Sequence, residues 1–276
     1  MIQVSRSMIF SALGCLLPRR AIHVPRPRSA GLLLALLVAC NDGPTEPPGS
    51  RYTAAEIAHF GDVAFGSEQG AAEVLRRWGT PLTLRVLGRP TPADLAVLAE
   101  AAAEVERSTG VPVRMATPAE EATASVQAHF LSRAEAQQLQ PELQRQHIGY
   151  FWVWWSGDVI YRARLTFVVD EISERTRPYI IRHELMHSLG FLRHAHDTGS
   201  LLYQPWRGTT AYSAADRAAM EMLYRRELRP GMQKAEALAV LQRLSRPPAA
   251  AAAGARPFHA AAPAPPGEAS GQAGGS

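Results

Sequence analysis

Two histidines and a glutamate in the second half of the chain have the types and spacing of a metal-dependent hydrolytic site. His183 and His187 lie four residues apart, with Glu184 directly after the first, in the pattern HExxH. On a helix, residues four apart share one face, so both imidazoles can bind one tetrahedral Zn²⁺. Glu184 can then contact a water on that ion without being a ligand, and act as general base when the water attacks a carbonyl.

The residues after His187 offer a third ligand. Gly190, three residues further on, is predicted to end the helix in a left-handed C-cap and to turn the chain back towards the metal. Three potential ligands follow in the order His194, His196 and Asp197. An alternative to all three is a glutamate from a downstream helix, as Glu221 would supply.

Local signals predict the elements that must hold these residues. Thr91 followed by Pro92 begins a helix that Gly110 ends, and Ser213 begins another as its N-cap. Residues 156–158 separate two strands rich in branched and aromatic residues, as a hairpin turn requires. The predicted strands span 82–87, 111–115, 124–130, 149–155 and 159–169, and the predicted helices span 91–108, 178–190, 213–228 and 232–244.

The first forty residues have the layout of a secretory signal. Five arginines and no acidic residue accompany an apolar run over 30–38 that is too short to span a bilayer comfortably. The run ends in Leu37, Val38, Ala39 and Cys40, which resembles the lipobox of bacterial lipoproteins. The resemblance implies that Cys40 is the lipidation site and that the mature protein is anchored to a membrane of the bacterial cell envelope, outside the cytoplasm.

Composition divides the rest of the chain into three parts. Residues 41–50 are rich in Pro and Gly and are predicted to form a flexible tether. Residues 51–246 have the size of one domain, whereas 247–276 are almost wholly Ala, Pro, Gly and Ser and are predicted to be a disordered tail. Within the domain, 51–79 is interpreted as an N-terminal helical extension in preference to a short pro-segment.

Charge and cysteine content exclude several classes of function. Five of the 29 basic residues and none of the 25 acidic residues precede Cys40, which leaves 24 basic against 25 acidic residues and a net charge of −1. A mature chain of that charge suggests no nucleic-acid partner. Because Cys15 lies in the predicted signal and Cys40 would be lipidated, the domain has no thiol for a disulfide, a zinc ligand or a nucleophile.

The HExxH segment and its surroundings resemble the metzincin clan of zinc peptidases, particularly the matrixin-like and serralysin-like branches. The family pattern HExxHxxGxxH is matched at His183, Glu184, His187 and Gly190. Its third histidine arrives one residue late, because Arg193 stands at that position. A one-residue insertion in the loop would return His194 to the metal, so the resemblance implies that His183, His187 and His194 bind zinc.

The family also has a methionine-containing turn beneath the metal. Ser200, Leu201, Leu202 and Tyr203 match its register, with Leu202 in place of the methionine. The resemblance implies that Tyr203 supports the oxyanion of the transition state, although a packed aromatic residue capping the core explains it equally well.

The resemblance implies a fold and a substrate. The expected fold is a single α+β zincin domain with a mixed twisted sheet, an active-site helix and a small C-terminal helical subdomain. The substrate would be a protein or peptide paired with the strand at 149–155, which forms the sheet edge above the cleft in this family. The simpler interpretation of that aromatic-rich strand is packing on both faces of the sheet.

A different class of function is a noncatalytic zinc-binding lipoprotein with a degenerate form of this fold. The late third histidine and the missing methionine favour that alternative, whereas the intact Glu184 argues against it. The remaining histidines of the domain, His59, His129 and His147, occur singly and are interpreted as ordinary polar or packed residues.

Overall fold

A computed structural model describes residues 52–67, 70–141, 143, 147–204 and 206–245. The predicted signal with Cys40, the tether and the tail from 247 lie outside these residues, so these assignments stay predictions. Within the described ranges, no helix combines the length and the apolar character needed to cross a membrane.

Six strands form one mixed sheet that is mostly parallel. Their order is β1-β6-β4-β2-β3, with parallel pairing throughout, and β5 runs antiparallel to β6. The strands are β1 (Arg77–Trp78), β2 (Leu82–Gly88), β3 (Val113–Met115), β4 (Val126–Leu131), β5 (Gly149–Ser156) and β6 (Val159–Val168). The expected mixed sheet is therefore observed.

The predicted turn between β5 and β6 is observed, but it has two residues and not the three at 156–158, because Ser156 is the last residue of β5. Gly157 and Asp158 both have positive φ, at 55° and 64°. Two successive residues at positive φ give the turn the twist that antiparallel strands need. Ser156 pairs with Val159 directly across this turn, and a register shift follows at Trp154 and Trp155.

The described residues form six α-helices, and four of them begin at a capping box. At Thr53, Thr91, Ser132 and Ser213, the N-cap side chain accepts a hydrogen bond from the backbone N–H of the third helical residue. The acidic side chain of that third residue accepts a hydrogen bond from the backbone N–H of the N-cap in return. The helices are α1 (Ala54–Val63), α2 (Pro92–Thr109), α3 (Arg133–Leu139), α4 (Arg177–Ser188), α5 (Ala214–Leu223) and α6 (Lys234–Leu244). The helix α3 was not predicted from the sequence.

The segment 51–79 is more than the helical extension expected from the sequence. α1 contributes Phe60 and Val63 to the main hydrophobic core, and both are fully buried. The chain then enters the sheet as β1, where Trp78 is buried and its indole N–H donates to the Ser188 carbonyl at 2.8 Å. This segment is therefore an integral part of the domain.

α5 ends at Leu223, five residues before the predicted end at 228. The Arg77 guanidinium donates to the carbonyls of Leu223 and Arg225, each at 2.9 Å. Carbonyls at a helix end need such partners because no later amide of the helix reaches them. Since Arg77 is 146 residues away from Leu223, this stop signal is invisible in the local sequence.

The helix that carries the HExxH segment is central to the domain. Every residue of α4 from Tyr179 to Ser188 is buried. Its N-terminus is held by Arg177, which donates to Asp94 of α2 at 2.6 Å and to the Val169 carbonyl at 2.8 Å. Burying polar side chains on all sides of a helix is costly unless partners satisfy them. The buried polar groups of α4 therefore indicate a candidate functional site.

Candidate metal centre

Three histidines meet at the C-terminal half of α4. His183 and His187 are fully buried and His194 is half-buried, and one ring nitrogen from each lies within 4.8 Å of the other two. The Nε2 atoms of His183 and His187 are 3.0 Å apart. A tetrahedral ion with bonds of about 2.0–2.1 Å needs its ligand atoms about 3.3–3.4 Å apart. The two Nε2 atoms lie slightly closer together than that, so the rings would move apart by a few tenths of an ångström to hold a shared ion.

Hydrogen bonds set the tautomers of the two buried imidazoles. Nδ1 of His183 lies 2.8 Å from the Leu201 carbonyl, and Nδ1 of His187 contacts the Phe191 carbonyl. A carbonyl only accepts, so each Nδ1 carries the proton and each Nε2 presents a lone pair.

The electrostatic environment keeps both of these rings neutral. Burial, reinforced by the neighbouring histidines, lowers the pKa of His183 to about 3 and that of His187 well below its usual value. Two neutral rings with their lone pairs facing each other repel unless a cation lies between them. This donor set is the one that zinc prefers among nitrogen ligands, so the residues present fit the ion.

The structure selects among the third ligands that the sequence left open. The His194 ring lies 5.4 Å from the His183 ring and 5.1 Å from the His187 ring, measured between centroids. His196 is exposed and its Nδ1 lies 3.3 Å from Asp62 instead, while Asp197 accepts from the Gly199 amide in an exposed turn. The histidine that follows a one-residue insertion in the family pattern is thus the one that joins the cluster.

Glu221 also lies elsewhere. Its carboxylate accepts from the Tyr52 hydroxyl at 3.0 Å, on the side of α5 that faces the segment before α1. Among the described residues it belongs to no group of potential metal ligands. The alternative of a glutamate ligand from α5 is therefore not supported.

The chain between His187 and His194 turns at Gly190. α4 ends at Ser188, and the C-cap is Leu189 in a right-handed conformation, so Gly190 is not itself the C-cap that the sequence predicts. Its φ of 124° is nevertheless positive, and a Cβ at this position would lie 2.1 Å from the Arg76 carbonyl oxygen. A side chain is excluded here both by the backbone conformation and by the backbone of Arg76, the residue before β1.

A buried aspartate holds the turn that supports His183. Asp216, which is fully buried at the start of α5, accepts from the Ser200 hydroxyl at 2.6 Å and from the Leu201 amide at 2.9 Å. Burial alone would raise the pKa of Asp216, but these hydrogen bonds, with those from His59 and Ser213, hold it below its usual value. The ionised carboxylate thereby holds the backbone of Leu201, whose carbonyl accepts a hydrogen bond from Nδ1 of His183. No local pattern in the sequence links Asp216 to the histidine cluster.

Glu184 is buried beside the histidines without a partner. Both of its carboxylate oxygens are inaccessible, and neither has a hydrogen-bond partner among the described residues. Burial raises the pKa of Glu184 well above its usual value. An unsatisfied buried carboxyl lowers stability, so its presence at this position calls for a functional reason.

Gly149, the first residue of β5, makes room for this carboxyl group. A Cβ at Gly149 would lie 2.4 Å from Oε1 of Glu184 and 2.7 Å from Cγ2 of Ile180. The absence of a side chain thus lets β5 pass directly alongside α4. No local pattern in the sequence distinguishes this glycine from an ordinary strand-initiating residue.

Replacing Gly149 with Ala is expected to destabilise the domain by about 1 to 3 kcal/mol, because the new methyl group overpacks the contact with Glu184 and Ile180. Urea denaturation of the metal-free protein measures this change. Gly199→Ala is the matched control, since its Cβ would meet only the Asp197 carboxylate, at ordinary contact distances of 3.4 Å and 4.0 Å. Equal destabilisation by the two substitutions would contradict the close approach at Gly149.

The aromatic residues of β5 pack on both faces of the sheet, as the simpler interpretation predicts. Phe151 is buried in the main core and stacks on the His187 ring at 4.3 Å. Tyr150 and Trp152 pack on the opposite face in a smaller hydrophobic cluster with α3. Phe151 thereby restricts the orientation of one ring of the histidine cluster.

Tyr203 lies next to the segment that carries the third histidine. It forms an isolated parallel bridge with Ala195, and the Ala195 amide donates to the Leu202 carbonyl at 3.1 Å. Leu202, at the position of the family methionine, is fully buried. The side chain of Tyr203 is half-buried, with the Arg207 guanidinium 5.9 Å from its ring centroid. Its predicted catalytic role stays a prediction.

Comparisons with known proteins identify one family and weak likenesses to solved structures. The model of the family described as "Protein of unknown function (DUF2927)" matches residues 54–243. No curated protein matches the sequence. Two solved structures of myroilysin are similar to this chain. The first is 14% identical, covers 55% of this chain and 97% of its own, and has a TM-score of 0.34. The second is 13% identical, covers 65% of this chain and 100% of its own, and has a TM-score of 0.36. Similarity at this level establishes neither a shared fold nor a shared activity.

Proposed function

This chain belongs to the DUF2927 family, and we propose that it is a zinc-dependent endopeptidase with a zincin fold of the metzincin type, akin to the matrixin-like and serralysin-like branches. His183, His187 and His194 would hold the ion, and Glu184 would be the general base. The substrate would be an extracytoplasmic protein or peptide.

One observation carries this proposal: a buried carboxyl without a hydrogen-bond partner lies on the same helix as two neutral imidazoles that present their lone pairs to each other. A noncatalytic zinc-binding protein would need the imidazoles but not Glu184. Keeping an unsatisfied acid in the core only lowers the stability of such a protein. The arrangement therefore favours catalysis over binding alone.

The chain's own residues account for the proton transfers. Zinc, when bound, lowers the pKa of a bound water towards neutrality and polarises a carbonyl oxygen. Glu184 takes the proton of the attacking water and delivers it to the leaving amine as the peptide bond breaks. Burial raises the pKa of Glu184 in the metal-free protein, and a carboxylate with a higher pKa is a stronger base. Tyr203 would donate a hydrogen bond to the oxyanion.

The edge strand β5 supports an extended peptide as the substrate. Among the described strands β5 pairs only with β6, and its first residue, Gly149, lies against Glu184. A peptide added to the other edge of β5 would run past the histidine cluster and be held by backbone hydrogen bonds. Such binding positions a peptide carbonyl without requiring a particular side chain.

The cellular setting belongs to the same proposal. Acylation of Cys40 would anchor the protein to a membrane of the bacterial cell envelope, with 41–50 as the tether. The near-neutral charge after Cys40 is consistent with a protein or peptide partner and with no nucleic acid.

Removing the metal is expected to abolish hydrolysis of an unstructured protein such as casein, and adding back one equivalent of Zn²⁺ is expected to restore it. The reason is that the proposed reaction draws its nucleophile from a water on the ion. Activity is measured before dialysis against a chelator, after it, and after zinc addition, with bound metal determined at each stage. Stoichiometric zinc without hydrolysis at any stage would instead indicate the noncatalytic zinc-binding protein.

A further inference from the structure

We infer that His59, on the N-terminal helix α1, is a positioning residue of the metal centre, acting on the His183 ligand through Asp216. The inference rests on the proposed metal site but not on peptidase activity. Neither the sequence pattern around His183 nor the metzincin resemblance includes His59.

The first link is a buried pair between distant parts of the chain. Nε2 of His59 lies 3.2 Å from Oδ1 of Asp216, and the two side chains are 5% and 0% exposed. The residues are 157 positions apart in the sequence. A carboxylate with no access to water depends on every donor around it, so losing the His59 donor leaves part of its charge unsatisfied.

The second link runs from Asp216 to the metal ligand. Oδ1 of Asp216 accepts hydrogen bonds from Nε2 of His59 and from the Ser200 hydroxyl. Oδ2 of Asp216 accepts a hydrogen bond from the Leu201 amide. The carbonyl of that same Leu201 accepts from Nδ1 of His183. His59 is therefore three hydrogen-bonded contacts away from the ring whose Nε2 faces the metal position. Groups that orient a ligand in this way tune metal affinity without touching the ion.

A separate contact places the same helix against the loop of the third ligand. Asp62, three residues after His59, lies 3.3 Å from Nδ1 of His196, which follows His194 by two residues. This pair is exposed, so its contribution to stability is small. It shows nevertheless that α1 borders both the turn behind His183 and the loop that carries His194. The N-terminal helix thus braces the site on two sides.

The test measures zinc affinity in the full chain by competition with a chromophoric chelator, without substrate. His59→Leu keeps a similar apolar volume but removes the donor, and we expect its zinc affinity to fall about 10- to 100-fold. His59→Gln places an amide N–H where Nε2 was, and we expect it to restore affinity close to that of the wild type. The visible absorption of the Co²⁺-loaded protein is expected to change in His59→Leu and to return in His59→Gln.

Val63→Ala is the matched control, because Val63 is a fully buried residue of α1 that takes no part in this hydrogen-bonded path. It weakens the packing of the helix and is expected to leave zinc affinity unchanged. If His59→Leu does not fold, His59→Asn, whose shorter amide cannot reach Asp216, replaces it under the same criteria.

Two results would overturn the inference: wild-type affinity in the folded variant that lacks the donor, or an equal loss of affinity in Val63→Ala. Absence of peptidase activity would defeat the proposed function alone, since this measurement uses no substrate. Absence of zinc binding by the wild type would defeat both.

Discussion

Glu184→Gln is expected to lower kcat for peptide hydrolysis by about 10²- to 10⁴-fold while leaving one zinc bound per chain. Loss of a general base removes a contribution of that size, and the amide of Gln has nearly the same shape as the carboxyl group it replaces. Because Glu184 is not among the three clustered ligands, its replacement removes no donor to the ion. Steady-state kinetics together with the measured zinc content test both halves of this expectation.

A second measurement separates lost chemistry from lost folding. The pKa of Glu184 is raised in the folded metal-free protein, so folding becomes less favourable as the pH rises above the pKa of an unfolded glutamate. Gln does not ionise and removes that penalty, so metal-free Glu184→Gln should be at least as stable as the wild type at pH 7. Glu221→Gln, on α5, is the matched control and should keep near-normal activity. An unstable Glu184→Gln, or equal losses of activity in both variants, would argue against a base at this position.

Local signals in the sequence predicted the elements that are determined locally. The helix starts were predicted from Thr91 followed by Pro92 and from Ser213 as an N-cap, and the turn from residues 156–158 between two strand patterns. The structure shows a capping box at each of these helix starts and positive φ at Gly157 and Asp158. The helix that carries His183 and His187 was predicted in the same way, within two residues at each end. Spacing along one helix was sufficient to bring these two ligands together.

The remaining features depend on contacts between distant residues. Arg77 ends α5, and Asp216 with His59 supports the turn at Leu201, yet none of these partners is near the other in the sequence. An isolated histidine such as His59 therefore looked like an ordinary packed residue. The need for a glycine at position 149 likewise arises from the close approach of β5 to α4, which the local sequence does not reveal. The sequence of a segment alone does not predict which distant carbonyl or carboxylate group its side chains will contact.

His194→Ala is expected to reduce zinc affinity by more than about 100-fold, above the range for loss of a merely supporting group, and to abolish hydrolysis at limiting zinc. The reason is that this ring supplies one of three convergent nitrogens, and two imidazoles with a water leave the ion accessible to exchange. His196→Ala is the matched control, because that side chain is 80% exposed, lies two residues away and contacts Asp62 instead of the histidine cluster. Chelator competition on both variants and the wild type gives the comparison. Should His196→Ala lose the metal while His194→Ala retains it, the loop beyond Gly190 would have to bind zinc in a different arrangement from the one described.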